Sequence, residues 1–231
     1  MRKNLNSGEK MGDNFKKKDW FYSLRGEPVL KRKNGAMFIV FDSLDGSGNS
    51  TEAALLAKYL NQIGKKAFVT KEPTSNLIGG LIKSQLNHDW KSSQICLQLL
   101  FSADRAYHLE KEIIPLLNKG ISIISDRYFF STFAYGNLEI NDLDWLKKIN
   151  EKFLFPDLTF FLKVSPKICI KRIKNNRPGT TLFEDEKILE KVWKNYQRLA
   201  KEFENIYILD GEKPAEQVFE NIKKIINKNL I

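Results

Sequence analysis

The sequence predicts a three-layer α/β fold, a five-stranded parallel sheet with helices on both faces. Three observations carry that expectation. Five short apolar runs recur along the chain, in FIVF, KKAFVT, ISIISD, DLTFFLKV and NIYILD. Longer segments between them return apolar residues every three or four positions, the helical period. The first run also breaks into a turn of small residues and passes directly into AALLAKYL, a strand–loop–helix unit whose strand and loop span Met37–Thr51. Short, nearly unbroken apolar strands alternating with helices belong to parallel sheets buried on both sides.

Taken in order, the elements follow from local chemistry. Residues 1–34 lack periodicity and are rich in Lys, Asn and Gly, so they read as a flexible or loosely docked extension, with Trp20, Phe21 and Tyr22 as possible anchors. The folded domain is expected over 35–231, opening with the first strand. A helix over about 50–63 ends at Gly64, the residue type that closes helices. KKAFVT is the second strand, KEPTSN a loop, and about 77–86 a helix. A long helical pattern over 92–118 loses register near Ala106 and closes at Gly120. ISIISDRY is a buried strand ending in charge, followed by two shorter helices over 129–136 and 142–152. DLTFFLKV precedes a helix with Pro166 in its first turn. Residues 175–183 contain Pro178 and Gly179 and read as a mobile loop. A helix over about 184–203, the strand NIYILD and a last helix over about 214–227 complete the chain.

Composition bounds the function classes. The 231 residues suffice for one sizeable domain. No apolar run approaches the roughly 18–20 residues of a membrane span, and the polar, basic start lacks the apolar segment of a secretory leader. Cys96 and Cys169 lie in apolar periodic segments without metal-type spacing and read as free thiols. A cytoplasmic protein is expected. The net charge is +10, but residues 1–34 alone hold ten Lys or Arg against four acids. The remaining excess suits an active site for anionic nucleotides, so a nucleic-acid partner is not expected.

In parallel sheets, ligands sit beyond the carboxyl ends of the strands. Here those ends read DSLDGSGNS, KEPT, SDRY, LKVS and LDGEK, so polar groups converge on one cleft. The first has the context of a phosphate-binding loop: small residues let backbone N–H groups close around an anion, and the next helix adds its N-terminal dipole. Against the pattern G-x-x-x-x-G-K-[ST], Ser43 replaces the first glycine and Asn49 the lysine, while Gly48 and Ser50 agree. From this stretch alone, a glycine turn joining strand to helix stays open beside the phosphate loop.

Several separated stretches decide between them. FDSLDGSGNST, KEP (71–73), LLFSADR (99–105), SDRYFFSTFAY (125–135), PDLTFFLKV and the Phe183–Glu184 pair occur in the order and spacing of one family. Over about residues 37–231 the chain resembles the thymidylate kinases, P-loop nucleoside monophosphate kinases. That resemblance implies the P-loop NTPase fold with a short lid, and ATP-dependent phosphorylation of dTMP with Mg²⁺. It also implies a homodimer. It assigns residues 43–51 (Ser43, Leu44, Asp45, Gly46, Ser47, Gly48, Asn49, Ser50, Thr51) and Arg172 to ATP and its phosphates. Lys71, Phe101, Arg105, Arg127, Ser131 and Tyr135 fall to dTMP, with Phe101 stacking on the base, Arg105 bonding its edge and Tyr135 crowding the sugar. Ser50 and Asp126 fall on the metal side, while Asp45, Arg127 and the lid residue Arg177 serve the transfer. An Asp126–Arg127 salt bridge of purely structural role stays open. Lys71 stands where the family more often has arginine.

Asn49 is the departure with chemical weight, since it removes a cation from the β- and γ-phosphates. Loss of one such group costs roughly 10²–10³ in rate. Two readings follow: a nucleotide-binding relative without catalysis, or a kinase whose charge comes from elsewhere. Lys163, where the family usually carries an acid, is the candidate replacement, because its strand is expected beside the first.

Overall fold

The computed structural model describes residues 32–33, 35–176 and 185–229. The N-terminal extension up to residue 31, Arg177, Phe183 and Glu184 lie outside these residues. Five strands, β1 (Phe38–Phe41), β2 (Ala67–Lys71), β3 (Ser122–Asp126), β4 (Leu158–Lys163) and β5 (Ile206–Asp210), form one parallel sheet in the order β2-β3-β1-β4-β5. β1 and β3 are buried along their whole length, as parallel strands covered on both faces must be. The chain fills one side of β1 with β3 and β2, then crosses to the other side with β4 and β5. The loop after β1 therefore lies at the switch point of the sheet, where such folds open a crevice.

Helices α1 (Asn49–Gln62) and α10 (Ala215–Asn229) cover one face, packing on Ile39, Phe41, Phe160 and Leu162. On the other face, Phe38, Val40 and Phe161 meet α4 (Ile114–Asn118) and α9 (Glu186–Glu202). The two sets alternate along β1 and β4, the period of two that sends successive side chains to opposite faces. α2 (Leu77–Leu86) and α3 (Gln94–His108) pack together beside β2. The predicted break in the long helical pattern is a π-helical turn at Leu109–Ile113, linking α3 to α4. A second π turn, Thr132–Gly136, joins α5 (Phe129–Ser131) to α6 (Asn137–Ile140), and α7 (Leu143–Asn150) follows. α8 is Pro166–Asn176. Chain entry into β1 is fastened: Arg32 pairs with Asp157, whose carboxylate also takes the Phe38 N–H at 2.7 Å.

Candidate active site

The loop between β1 and α1 is held from below by backbone contacts. Gly46 and Gly48 both have positive φ, at 77° and 110°. A Cβ on Gly46 would lie 2.5 Å from the Cys169 carbonyl oxygen of α8, so any side chain there would push helix and loop apart. Ser43 is fully buried and its hydroxyl accepts the Leu162 N–H at 2.6 Å, tying the loop to β4. It does not line the cleft, and the expectation that it binds phosphate is corrected on that ground. The residues from Leu44 to Glu52 do line a cavity of about 370 Å³, together with Lys71, Asp126, Arg127, Arg172 and Lys213. Arg172 donates to the Ser47 and Gly211 carbonyls at 3.2 Å each, bridging the loop to the end of β5. Asn49 opens α1, lines the cavity, and accepts from the Ser47 hydroxyl at 3.3 Å.

Strand register puts the next groups in line. Lys71 of β2 and Phe41 of β1 both pair with Asp126 of β3, so their side chains end at one level. The Asp126 carboxylate accepts the Ser50 hydroxyl and lies 3.0 Å from the Lys71 ammonium. A hydroxyl and a carboxylate side by side are the hard oxygen donors that suit Mg²⁺. Among the described residues no cluster of three or more His, Cys, Asp or Glu gathers, so such an ion would complete its shell with water and nucleotide oxygens.

Arg127 follows β3 with φ at 76°, a left-handed backbone held in a residue other than glycine. Its guanidinium donates to Ser131 Oγ at 2.6 Å and Asp45 Oδ1 at 2.7 Å, and lies 5.4 Å from the Tyr135 ring centre. Burial works to lower its pKa, but Asp45, Tyr135, Tyr196 and Asp42 raise it further, so the group stays charged. The Tyr135 hydroxyl accepts the Asp45 N–H at 3.1 Å and donates to its carboxylate at 3.3 Å. Burial and then the Asp45 charge raise the Tyr135 pKa, keeping the phenol neutral. Asp42, fully buried behind this group, accepts from Ser131 Oγ at 2.5 Å, Tyr196 at 2.7 Å, and the Ser131 and Tyr128 N–H groups at 2.9 and 3.1 Å. It fixes the α5 segment that carries Ser131.

A second cavity of about 370 Å³ is lined by Pro73, Gln98, Phe101, Ser131, Thr132 and Tyr135, and by Asp45, Lys71 and Arg127, which it shares with the first. One chamber is lined largely by the backbone of the loop and the other is an aromatic slot. Three charged side chains stand where they meet.

Comparison with known proteins agrees with this geometry. The family model described as Thymidylate kinase matches residues 41–222. The chain is 36% identical over 200 residues to the thymidylate kinase of Thermosipho melanesiensis, covering 84% of this chain and 99% of that protein. It is 39% identical over 201 residues to a probable thymidylate kinase of Methanococcus aeolicus, covering 84% and 98%. The chain belongs to the thymidylate kinase family. A solved thymidylate kinase structure from Candida albicans superposes with a TM-score of 0.72 at 27% identity, covering 85% of this chain and 94% of that one.

Two further expectations are corrected here, Arg105 from the family resemblance and Lys163 from this chain's own departure. Arg105 does not line either cavity. It is 1% exposed, and its fork is taken up by Glu72 at 2.8 and 2.9 Å, Asn150 at 2.5 Å and Thr132 at 3.3 Å. It lies behind the second cavity, holding Glu72 and Thr132, which line it. Lys163 is also absent from the cleft. β4 does neighbour β1, but Leu162 faces the cavity and the strand's alternation turns Lys163 to the opposite face, where it is exposed. Cations on this side of the cavity are Arg172 and Lys213, the latter beyond β5 and 3.8 Å from Asp210. The sequence reading gave no role to Asp42, Glu52, Gln98 or Thr132. An acid directly after a fully buried strand was the available signal for Asp42.

Proposed function

We infer that the protein transfers the γ-phosphoryl group of ATP to dTMP, giving ADP and dTDP. The observation that carries this reading is the junction of the two cavities at Asp45, Lys71 and Arg127, together with membership of the family. A donor phosphate chain in the loop cavity and a nucleoside monophosphate in the aromatic slot would meet at those three side chains. A phosphate oxygen of dTMP attacks the γ-phosphorus in line as the bond to the β-phosphate oxygen breaks, and ADP leaves with that electron pair. Such transfer depends on positioning and on cations around the moving group. Arg127, fixed by Asp45 and Ser131, and Lys71 supply cations at the junction; Phe101 offers a face for the base. Tyr135, neutral and hydrogen-bonded to Asp45, packs at the sugar. Arg105 acts through Glu72 and Thr132 as a positioning residue.

Mg²⁺, held by Ser50 and Asp126, would neutralise charge on the β- and γ-phosphates. Arg177, on the lid expected at 175–181, is a further cation in this reading. Homodimerisation is supported by an apolar stripe on α2 and α3, where Leu77 is 84% exposed, Ile95 55% and Leu99 48%. A cytoplasmic location accords with two free cysteines, and no helix among the described residues is long and apolar enough to cross a membrane.

Asn49 favours a second reading, a nucleotide-binding relative without catalysis. A coupled assay of ADP release from ATP and Mg²⁺, with and without dTMP, separates the two. The kinase reading expects turnover that depends on dTMP. Absence of turnover in a preparation that binds both nucleotides would overturn it in favour of the second.

A further inference from the structure

The aromatic slot contains a buried polar group that no described residue satisfies. Gln98 lies on α3, one turn before Phe101, and both line the slot. It is 2% exposed, and its Oε1 is buried without a hydrogen-bond partner among the described residues. Gly136 lies directly against the carboxamide: a Cβ built there would meet Gln98 Cδ at 2.8 Å, Oε1 at 2.9 Å and Nε2 at 3.1 Å. The absence of a side chain at position 136 therefore makes the room in which the amide sits. Buried polar groups are nearly always paired, and one left unpaired on a residue that lines a cavity calls for an explanation. A ligand that completes the pairing supplies one.

We propose that Gln98 reads the edge of the acceptor's base. This rests on the reading of the slot as the acceptor site. The ring that would stack on Phe101 has, in thymine and uracil, an imide edge with N3–H as donor and O4 as acceptor. A carboxamide carries an acceptor and a donor side by side and matches that pair with two hydrogen bonds. Arg105, the residue the family resemblance assigns to the base edge, already has its fork occupied by Glu72, Asn150 and Thr132. Gln98 is left as the buried side chain of the slot with open hydrogen-bonding capacity at its oxygen.

The test compares dTMP, dUMP and dCMP as acceptors for the wild type, Gln98→Met and Gln98→Glu. Methionine keeps the length and removes both polar groups. It is expected to lower kcat/KM for dTMP and for dUMP alike by about 10- to 100-fold, because a site built to pair with a substrate group discriminates through that pairing. The 5-methyl group is not read by the amide, so the dTMP-to-dUMP ratio stays constant. Glutamate keeps the shape but, ionised, only accepts. It is expected to shift the ratio of dTMP to dCMP toward dCMP, whose N4 amino group donates. A purely structural role for Gln98 would lower all three acceptors together. If both variants keep the wild-type dTMP-to-dCMP ratio within about threefold, the proposal is overturned; if methionine prevents folding, the isosteric Glu variant carries the test. Failure of the wild type itself to bind dTMP by calorimetry would overturn the underlying assignment of the slot.

Discussion

Replacing Lys71 with methionine separates what this side chain does for the fold from what it does for a phosphate. Its side chain is 59% exposed, and among the described residues it pairs with Asp126 at 3.0 Å, whose side chain is 5% exposed. The lysine end lies in solvent and Asp126 keeps its bond to the Ser50 hydroxyl without it, so losing the pair costs about 1 kcal/mol. For a domain of this size that is a change in melting temperature of no more than roughly 2–4 °C. The ligand side is different. A charge-assisted hydrogen bond from an ammonium to a phosphate oxygen contributes about 1.5–3 kcal/mol. At about 1.4 kcal/mol per decade that becomes a loss of roughly 10- to 150-fold in kcat/KM for dTMP. The Coulomb energy of one such pair at about 4 Å and an effective dielectric of about 20, roughly 4 kcal/mol, is a ceiling. The assay is coupled ADP release over a range of dTMP concentrations, with a thermal melt of the same preparation. Unchanged kcat/KM, or a melting point more than about 5 °C lower, would refute the assignment of Lys71 to the acceptor phosphate. Lys71→Arg should keep activity and lower KM for dTMP, since the planar fork can pair with two oxygens.

Three further outcomes follow from the same geometry. Burial, reinforced by the neighbouring Glu216, pushes the Glu52 carboxyl up to about 7 from 4.5. The folded protein then holds this proton between those two values while the unfolded chain has lost it, so stability falls as pH rises through that window and is level above it. The full displacement corresponds to roughly 3 kcal/mol, and screening at the cleft mouth brings the expected gain from Glu52→Gln to about 1–2 kcal/mol at pH 8, with none at pH 4. Denaturant melts at both pH values check this, and an equal gain at both would contradict it. Asn49→Lys places a cation at the start of α1 beside the phosphate cavity and should raise kcat by roughly 10- to 100-fold; stopped-flow or steady-state turnover measures it, and an unchanged kcat would mean the surrounding cations already suffice. Leu99→Glu, on the exposed face of α3, should turn a dimer into a monomer in sedimentation velocity. An unaltered sedimentation coefficient would remove this face from the interface.

Most of the fold was legible because its signals are local. Gly64, Gly120 and Pro166 mark element ends through backbone chemistry that packing does not alter. The continuous apolar character of β1, β3 and β4 announces burial on both faces. The π turn at Leu109–Ile113 was legible only as a loss of register, and the one at Thr132–Gly136 was read as part of an ordinary helix, since the apolar pattern alone does not show the extra residue in a turn. The site divides in the same way. Asp45, Asp126 and Arg127 were readable because they end or directly follow β1 and β3, and Ser50 and Tyr135 because they lie in the helical segments that come next. Lys163 was misread because sequence position locates a residue along a strand, while the pleat and register decide which face it takes. Arg105 was misread for a different reason: its motif fixes the side chain's place on α3, but Glu72, Asn150 and Thr132, which occupy its fork, come from three other segments.

The loop lacks its lysine, but the cleft does not lack positive charge. Lys71, Arg127, Arg172 and Lys213 line the phosphate cavity and approach it from β2, β3, α8 and the end of β5. They differ in how much of that charge is available. Arg172 already donates to the Ser47 and Gly211 carbonyls, and Arg127 is paired with Asp45. Lys71 shares Asp126 with the Ser50 hydroxyl, and Lys213 stands 3.8 Å from Asp210 at the cavity wall. A nucleotide entering this cavity would therefore compete with carboxylates for two of its lysines, and a divalent ion at Ser50 and Asp126 would displace Lys71 from its carboxylate. Displacement in that direction frees the lysine toward the junction of the two cavities. The same ion that neutralises the donor phosphates would thus release the acceptor's cation. On this reading, charge that other phosphate loops fix within the loop would in this chain come from four side chains around it.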